Sequence, residues 1–333
     1  MDRRRFIAAV SSCAVLPVLL RPRSDGTGHP SVITLAGAGP EGRWFQETSV
    51  LGKILTREIP GLSVIGVLGK GISAGNIKRI AARNVDGGRF YVFDLESAHA
   101  NREQFAVGDY RDVLVWMKLG TNLFRVVAEK GIDRFSELRG RTVAVGVKGG
   151  GDDLLAARIL GGYGVNASNT KFQYIGRSDG QSALANGQID AIGFAYTRNN
   201  QGHLGPIFAA RRLGEDVDFV SPDDERNEAF LASNPSFFLD TSGEPVFGRP
   251  DLKGIGYYQG MAIHRAVPAD LVHRMTQVVF ERWDEVVANL PWWGEPGEAS
   301  LESAPAITTL PYHPGAVRYY TERGVWSGTT GER

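Results

Sequence analysis

The chain has 333 residues, 42% hydrophobic and 22% charged, which is enough apolar material for two ordinary lobes and excludes a disordered chain. Lysine plus arginine and aspartate plus glutamate stand at 37 each, so the basic excess of a nucleic-acid binder is absent and nucleic acid is not an expected partner. A single cysteine excludes a disulfide framework.

Met1-Asp2-Arg3-Arg4-Arg5 precedes an apolar run from Phe6 to Leu20, closed by Arg21-Pro22-Arg23. The run is short for a bilayer-spanning helix, and a basic front before an apolar stretch fits an export signal. Arg3-Arg4-Arg5-Phe6-Ile7 has twin-arginine spacing, with Asp2 where serine or threonine is usual. Cys13 closes Val10-Ser11-Ser12-Cys13, which looks like a lipidation box, yet seven apolar residues follow it, so it reads as an ordinary signal residue. Signal and linker are assigned to 1–28, with no clear cleavage site, and the expected location is the periplasm.

Val32 to Leu35 reads as a buried strand, and Trp44 to Ile59 as a helix with apolar Phe45, Val50, Leu51, Ile54 and Leu55. Leu62 to Leu68 follows as a strand, Ala74 to Arg83 as a helix, and Phe90 to Phe93 as a strand opening into a helix near Glu96. Val113 to Lys118 and Leu123 to Ala128 read as a pair of adjacent strands. Ser136 to Arg141 is a short capped helix before a strand at Thr142 to Gly146. A second alternation follows: helix Asp152 to Leu160, strand Phe172 to Ile175, helix Gly180 to Asn186 and strand Ala191 to Ala195. Phe219-Val220 and Gly254 to His264 look like return strands, and Pro268 to Ala288 like one long amphipathic helix.

Strands alternating with helices predict an α/β architecture with mainly parallel sheets flanked by helices. The expected division is lobe 1 at 29–117 plus 250–333, lobe 2 at 118–222, and an irregular return or hinge segment at 223–249, with a ligand cleft between the lobes.

Three glycine-rich turns stand where strands give way to helices: Gly37-Ala38-Gly39-Pro40-Glu41-Gly42, Gly69-Lys70-Gly71-Ile72-Ser73-Ala74-Gly75-Asn76, and Gly146-Val147-Lys148-Gly149-Gly150-Gly151-Asp152-Asp153. Glycine lets backbone approach a guest, and free N–H groups at helix starts favour anionic oxygens. In an open parallel sheet the crevice lies beyond the carboxyl ends of the strands, so a cleft between lobes would bring these turns face to face.

The first turn matches the dinucleotide fingerprint, but no acidic residue ends the next strand and Pro40 removes an N–H. Gly71-Ile72-Ser73-Ala74-Gly75 matches a nucleophile elbow, so an exported serine hydrolase using Ser73 is the enzyme alternative; ligand hydrogen bonding and helix capping are the other readings of that serine. The histidines His29, His99, His203, His264, His273 and His313 are dispersed, and no metal site or cofactor is expected. Trp44-Phe45 reads equally as an aromatic wall over a ligand or as core, and Trp292-Trp293 as packing or surface.

Together these residues resemble the TAXI-type solute receptors of TRAP transporters, two-lobed periplasmic binding proteins similar to type II. The resemblance rests on the first turn with Trp44-Phe45, on Ser73-Ala74-Gly75-Asn76-Ile77, and on Phe135-Ser136-Glu137-Leu138-Arg139-Gly140-Arg141-Thr142-Val143-Ala144-Val145-Gly146. Gly187-Gln188-Ile189-Asp190-Ala191 and the tail Leu310-Pro311-Tyr312-His313-Pro314-Gly315-Ala316-Val317-Arg318-Tyr319-Tyr320 strengthen it. It implies a non-enzymatic receptor that captures a small organic solute, often a carboxylate or an amino acid, by hinge closure and delivers it to membrane permease subunits; a monomer is expected, and the charges that depart from the pattern add an amine to the expected solutes. The implied ligand-facing residues are Gly39, Trp44 and Phe45 from the first turn, Ser73 and Asn76 from the second, and Gly149 and Gly151, with Gly150 between them, from the third. The chain departs from the pattern at Glu41, Arg43, Asp94, Glu96 and Asp152. Arg43 is suited to a ligand carboxylate, and Glu96 and Asp152 to an ammonium; the other reading pairs these charges with one another across the cleft or turns them to solvent.

Overall fold

The computed structural model describes residues 31–326 and 328, apart from 41, 197–203, 245–246 and 296. The expected export segment, Cys13 and Glu41 lie outside the described residues.

The first half contains strand β1 (Ser31–Ala36), helix α1 (Arg43–Glu58), β2 (Leu62–Val67), α2 (Ile72–Ala81), β3 (Gly87–Tyr91) and α3 (Val92–His99). Helix α1 buries Trp44, Thr48, Leu51 and Leu55, the i, i+4, i+7 spacing of a single face. That face meets β2 so closely that a Cβ on Gly52 would lie 2.8 Å from the Val64 carbonyl. Strand β1 pairs in parallel with β2 and β3.

The second half follows with β4 (Val113–Glu129), β5 (Thr142–Ala144), α4 (Gly151–Gly162), β6 (Lys171–Gln173), α5 (Arg177–Ala185), β7 (Ala191–Tyr196), α6 (Gly205–Ala210) and β8 (Val217–Val220). Next come α7 (Asp224–Ser233), β9 (Phe237–Asp240), β10 (Gly254–His264), α8 (Ala269–Glu281), α9 (Trp283–Asn289) and α10 (Pro314–Glu322). The sheet order is β2-β1-β3-β10-β4-β7-β5-β6, with β8 on β4 and β9 on β10.

The parallel pairs lie within the two halves, and β4 and β10 join them as an antiparallel pair running from Val113↔His264 to Phe124↔Ile255. Val113, Val115, Trp116 and Met117 of β4 lie in a core with Phe90, Met261, Trp293 and Tyr320; Phe124, Val126 and Ala128 of the same strand lie in another with Phe135, Tyr163 and Ile255. A third apolar cluster, with Phe194 and Leu204, packs on the other face of the second half. Both long strands are buried nearly throughout, as expected when both faces are covered.

Three expectations need correction. The two strands expected at Val113 to Lys118 and Leu123 to Ala128 are one, because β10 pairs across both and leaves no turn at Gly120-Thr121-Asn122. The helix expected at Pro268 to Ala288 is broken at Arg282, whose backbone leaves helical geometry (φ −107°, ψ 23°) and whose guanidinium reaches Glu58 at 2.6 Å. Segment 223–249, read as irregular, holds α7 and β9; the charged opening of α7 and its few buried residues, Asn227 and Phe230, give little periodicity to read.

Candidate functional site

The site forms where β4 and β10 cross from one half to the other. Gln259, at a register shift in β10, donates through Nε2 to Asn122 Oδ1 of β4 at 3.1 Å. Its Oε1 accepts from Trp44 Nε1 at 3.0 Å and from Arg89 Nη2 at 2.8 Å. The crossing strands therefore fix an indole from α1 and a guanidinium from β3 in one hydrogen-bond network.

Arg89 is 1% exposed, and its Nε lies 2.8 Å from Glu47 Oε2. The other oxygen of Glu47 accepts from the indole N–H groups of Trp292 at 2.8 Å and Trp293 at 3.0 Å. Burial pulls the Arg89 pKa below its ordinary value, with Glu47 opposing that shift. A buried pair of this kind is costly to break, since either partner alone is an uncompensated charge.

These groups line a cavity of about 160 Å³. Arg43, Trp44, Arg89 and Tyr91 form one wall, Leu119, Asn122 and Gln259 the floor, and Arg177 and Ala195 the facing wall from the second half. Trp292, Glu295 and Glu298 close it from the segment after α9. The Arg43 guanidinium sits 5.0 Å over the Trp292 ring. Burial raises the Glu298 carboxyl to about 7, against the opposing pull of Lys118. Among the described residues, beyond the Arg89 Nε–Glu47 Oε2 ion pair, two further charged atoms of the lining, Arg89 Nη1 and Glu295 Oε2, are buried without a hydrogen-bond partner.

Of the residues expected from sequence, Arg43 and Trp44 line this cavity. Asp152 stands behind it: its carboxylate takes Arg177 Nη2 at 2.8 Å and the Ala195 N–H at 3.0 Å, so it holds Arg177 in the wall and is not open to an ammonium. Ser73 and Asn76 are 2% and 0% exposed. Ser73 Oγ accepts from the Tyr91 N–H at 2.8 Å, and Asn76 Nδ2 donates to the carbonyls of Gly37 at 2.8 Å and Arg89 at 3.0 Å. Both tie turns to β3 and do not face the cavity. Phe45 packs against the first turn, where a Cβ on Gly37 would meet its Cα at 2.6 Å. Gly39 is exposed with open space around it.

Glu96 lies elsewhere, in a second cavity of about 410 Å³ bounded by α3 and α4. An aromatic partition separates the two: Tyr91 stacks on Phe93 with centroids 5.5 Å apart, and Phe93 contacts Tyr257 at 5.3 Å and Phe237 at 5.4 Å. Burial raises the carboxyl of Glu96, and in the same cavity that of Asp94 to about 6.

Gly149, Gly150 and Gly151 line neither cavity, but the third turn meets the second: a Cβ on Gly151 would lie 3.7 Å from Ile72 Cδ1. Two glycine turns from opposite halves thus face each other. The glycines of the second turn permit backbone-to-backbone approach, since a Cβ on Gly69 would sit 2.3 Å from the Gly37 carbonyl and one on Gly75 1.4 Å from that of Lys70.

The serine-hydrolase alternative does not fit this geometry. The Ser73 hydroxyl is buried between the Tyr91 N–H and Asp94, and the described histidines are engaged elsewhere: His99 with Val113, His264 with Ala266, His273 with Glu322, and His313 with Val267. Among the described residues no group of three or more His, Cys, Asp or Glu could hold a metal ion. None of the described helices is long and apolar enough to cross a membrane.

Reading the sequence missed Glu47, Arg89, Tyr91, Asn122, Arg177, Gln259, Trp292, Glu295 and Glu298. Most sit on strands or after α9, where neither a glycine turn nor a motif marks them. The proximity of Trp292-Trp293 to Glu295 and Glu298 was the one local signal, and Trp292 belongs to the cavity wall as well as to packing.

Two parallel-stranded halves joined by crossing strands, with a polar cavity at the crossing, define the periplasmic binding protein fold that the sequence predicts. The NMT1-like family matches residues 35–324, and the chain belongs to that family. Among solved structures it is similar to XAC2383 from Xanthomonas citri bound to chloride ion, at 11% identity over 88% of this chain and 97% of that one, with a TM-score of 0.52. The same protein bound to ATP gives 12% identity over 89% and 97%, with a TM-score of 0.51. The periplasmic aliphatic sulphonate binding protein SsuA from Escherichia coli gives 13% identity over 80% of each chain, with a TM-score of 0.40.

Proposed function

We propose that this chain is an extracytoplasmic solute receptor of the TAXI type. It captures a small organic solute (an amino acid, an amine or a carboxylate) by closure of its two halves and delivers it to the membrane permease subunits of a TRAP transporter. The observation that carries this reading is the pair of buried, unpartnered charged atoms, Arg89 Nη1 and Glu295 Oε2, lining one cavity. A buried charged group without a partner is expensive, so a guest that supplies an acceptor to one and a donor to the other is stabilised.

The cavity of about 160 Å³ suits a compact guest, since an engineered cavity of about 150 Å³ takes in benzene. Arg43 and Trp44 contact the solute in this reading, and Arg177, steadied by Asp152, reaches it from the other half. Gly39, Phe45 and the Gly149-Gly150-Gly151 turn belong to the lips that close over it. The basic, apolar N-terminus supports export.

A thermal-shift screen of amino acids, amines and carboxylates, followed by calorimetric titration of each hit, tests this. A ligand that binds only the folded protein raises its melting temperature. Binding that survives in Glu295→Gln and in Arg43→Gln together would refute the placement of the solute. A screen with no hit in any class would refute the receptor reading.

A further inference from the structure

Arg158 extends from α4 in the second half toward α3 in the first, on the far side of the aromatic partition from the solute cavity. Its Nη2 donates to Ser97 Oγ at 2.9 Å, its Nη1 lies 3.4 Å from the Phe93 carbonyl, and its guanidinium forms an ion pair with Glu103. The guanidinium carbon lies 5.5 Å over the Phe93 ring. The same helix buries Leu155, Ala156, Ile159 and Leu160 in the second core, so the Arg158 side chain is anchored at its base and gripped at its tip by the other half.

The grip has a backbone counterpart. Asn101 and Glu103, neither of them glycine, hold φ of 48° and 56°, left-handed values that cost L-residues energy and persist only where surroundings enforce them. This turn carries the Glu103 carboxylate to Arg158. Around the bridge lies the second cavity, lined by Asp94, Glu96, Arg102 and Gln104 from the first half, and across it Glu96 also accepts a hydrogen bond from Ser236.

We infer that Arg158 is a latch that sets how much of the solute-free protein is closed, and thereby sets solute affinity without touching the solute. The inference rests on the reading that the halves open and close. A solute that binds the closed form has an apparent affinity scaled by the population of that form. Loss of one charge-assisted bridge of this exposure lowers the closed-to-open ratio about five-fold. Arg158 is a positioning residue, and closure around the crossing strands is what it positions.

Small-angle X-ray scattering on the full chain without solute tests this, at about 10 mM and about 1 M NaCl, where screening lengths differ about ten-fold. Arg158→Gln is expected to enlarge the radius of gyration at low salt, high salt is expected to enlarge the wild type toward the same value, and Arg158→Lys is expected to retain part of the compaction. Glu103→Gln removes one half-exposed partner with little risk to folding and is expected to give a partial expansion. Curves for Arg158→Gln and Glu103→Gln that superimpose on the wild type at both salts would overturn the latch. If a screening hit compacts the protein while these variants match the wild type, only the latch fails. If neither solute, salt nor substitution changes the scattering, closure itself fails, and the latch with it.

Discussion

Replacing Glu47 with methionine removes the counter-ion of Arg89 and the shared acceptor of two indole N–H groups at once. The side chains of Arg89 and Glu47 are 1% and 3% exposed, so the stranded guanidinium is poorly solvated. Breaking a buried pair costs about 3–5 kcal/mol, and each of the two orphaned indole donors adds about 1–3 kcal/mol, so the loss is at least about 5 kcal/mol. At about 2 °C per kcal/mol for a chain of this size, the melting temperature falls by at least about 10 °C. The decisive comparison is the double variant Glu47→Met with Arg89→Met. Two packed apolar side chains replace a buried ion pair at little cost, so the double variant melts above the Glu47→Met single variant. Calorimetric or circular-dichroism melts read both values. If the double variant loses the sum of the two single losses, the pair is not a coupled charge hub and the account of the cavity wall is wrong.

Ser73, buried against Tyr91 and Asp94, is expected to give no fluorophosphonate adduct, while Ser73→Ala loses about 1–3 kcal/mol of stability by orphaning the Tyr91 N–H. Glu298 titrates near 7 when folded against 4.5 ordinarily, so the folded state keeps its proton longer than the unfolded chain. The stability this lends is full below about 4.5 and is lost as pH rises through about 7, and melts of Glu298→Gln should be flatter across that window. A Cβ on Gly75 would meet backbone at 1.4 Å, whereas one on Gly161 in α4 meets nothing within 4 Å. Gly75→Ala should therefore lose more than about 3 kcal/mol, and Gly161→Ala should gain up to about 1 kcal/mol, in denaturant titrations.

Much of the architecture was legible because periodicity reports burial directly. Helix α1 and strands β1 and β2 stand where their apolar spacing placed them, and the alternation of strand and helix predicted two α/β halves. The glycine turns were visible too, but the second of them serves backbone packing, which its sequence does not distinguish from ligand contact. Gly69 and Gly75 make room for other backbone, and Ser73 and Asn76 secure that turn to β3, so the second turn supports the site from behind. The cavity is built by Arg89, Asn122, Arg177 and Gln259, whose meeting depends on pairings 137 residues apart (Gln259 with Asn122) and 170 residues apart (Arg89 with Gln259). No local pattern encodes such a meeting. Glu96 shows the same limit, since it faces away from the cavity across a row of rings that only the folded chain assembles.

Strands β4 and β10 belong to both cores, which makes the connection between the halves a stiff ribbon. Such a ribbon bends elastically and stores work as it is displaced, so the molecule returns to its rest shape unaided once a guest leaves. Melting either half strips one end of strands that the other core also uses, so heating should give one sharp calorimetric peak with no shoulder.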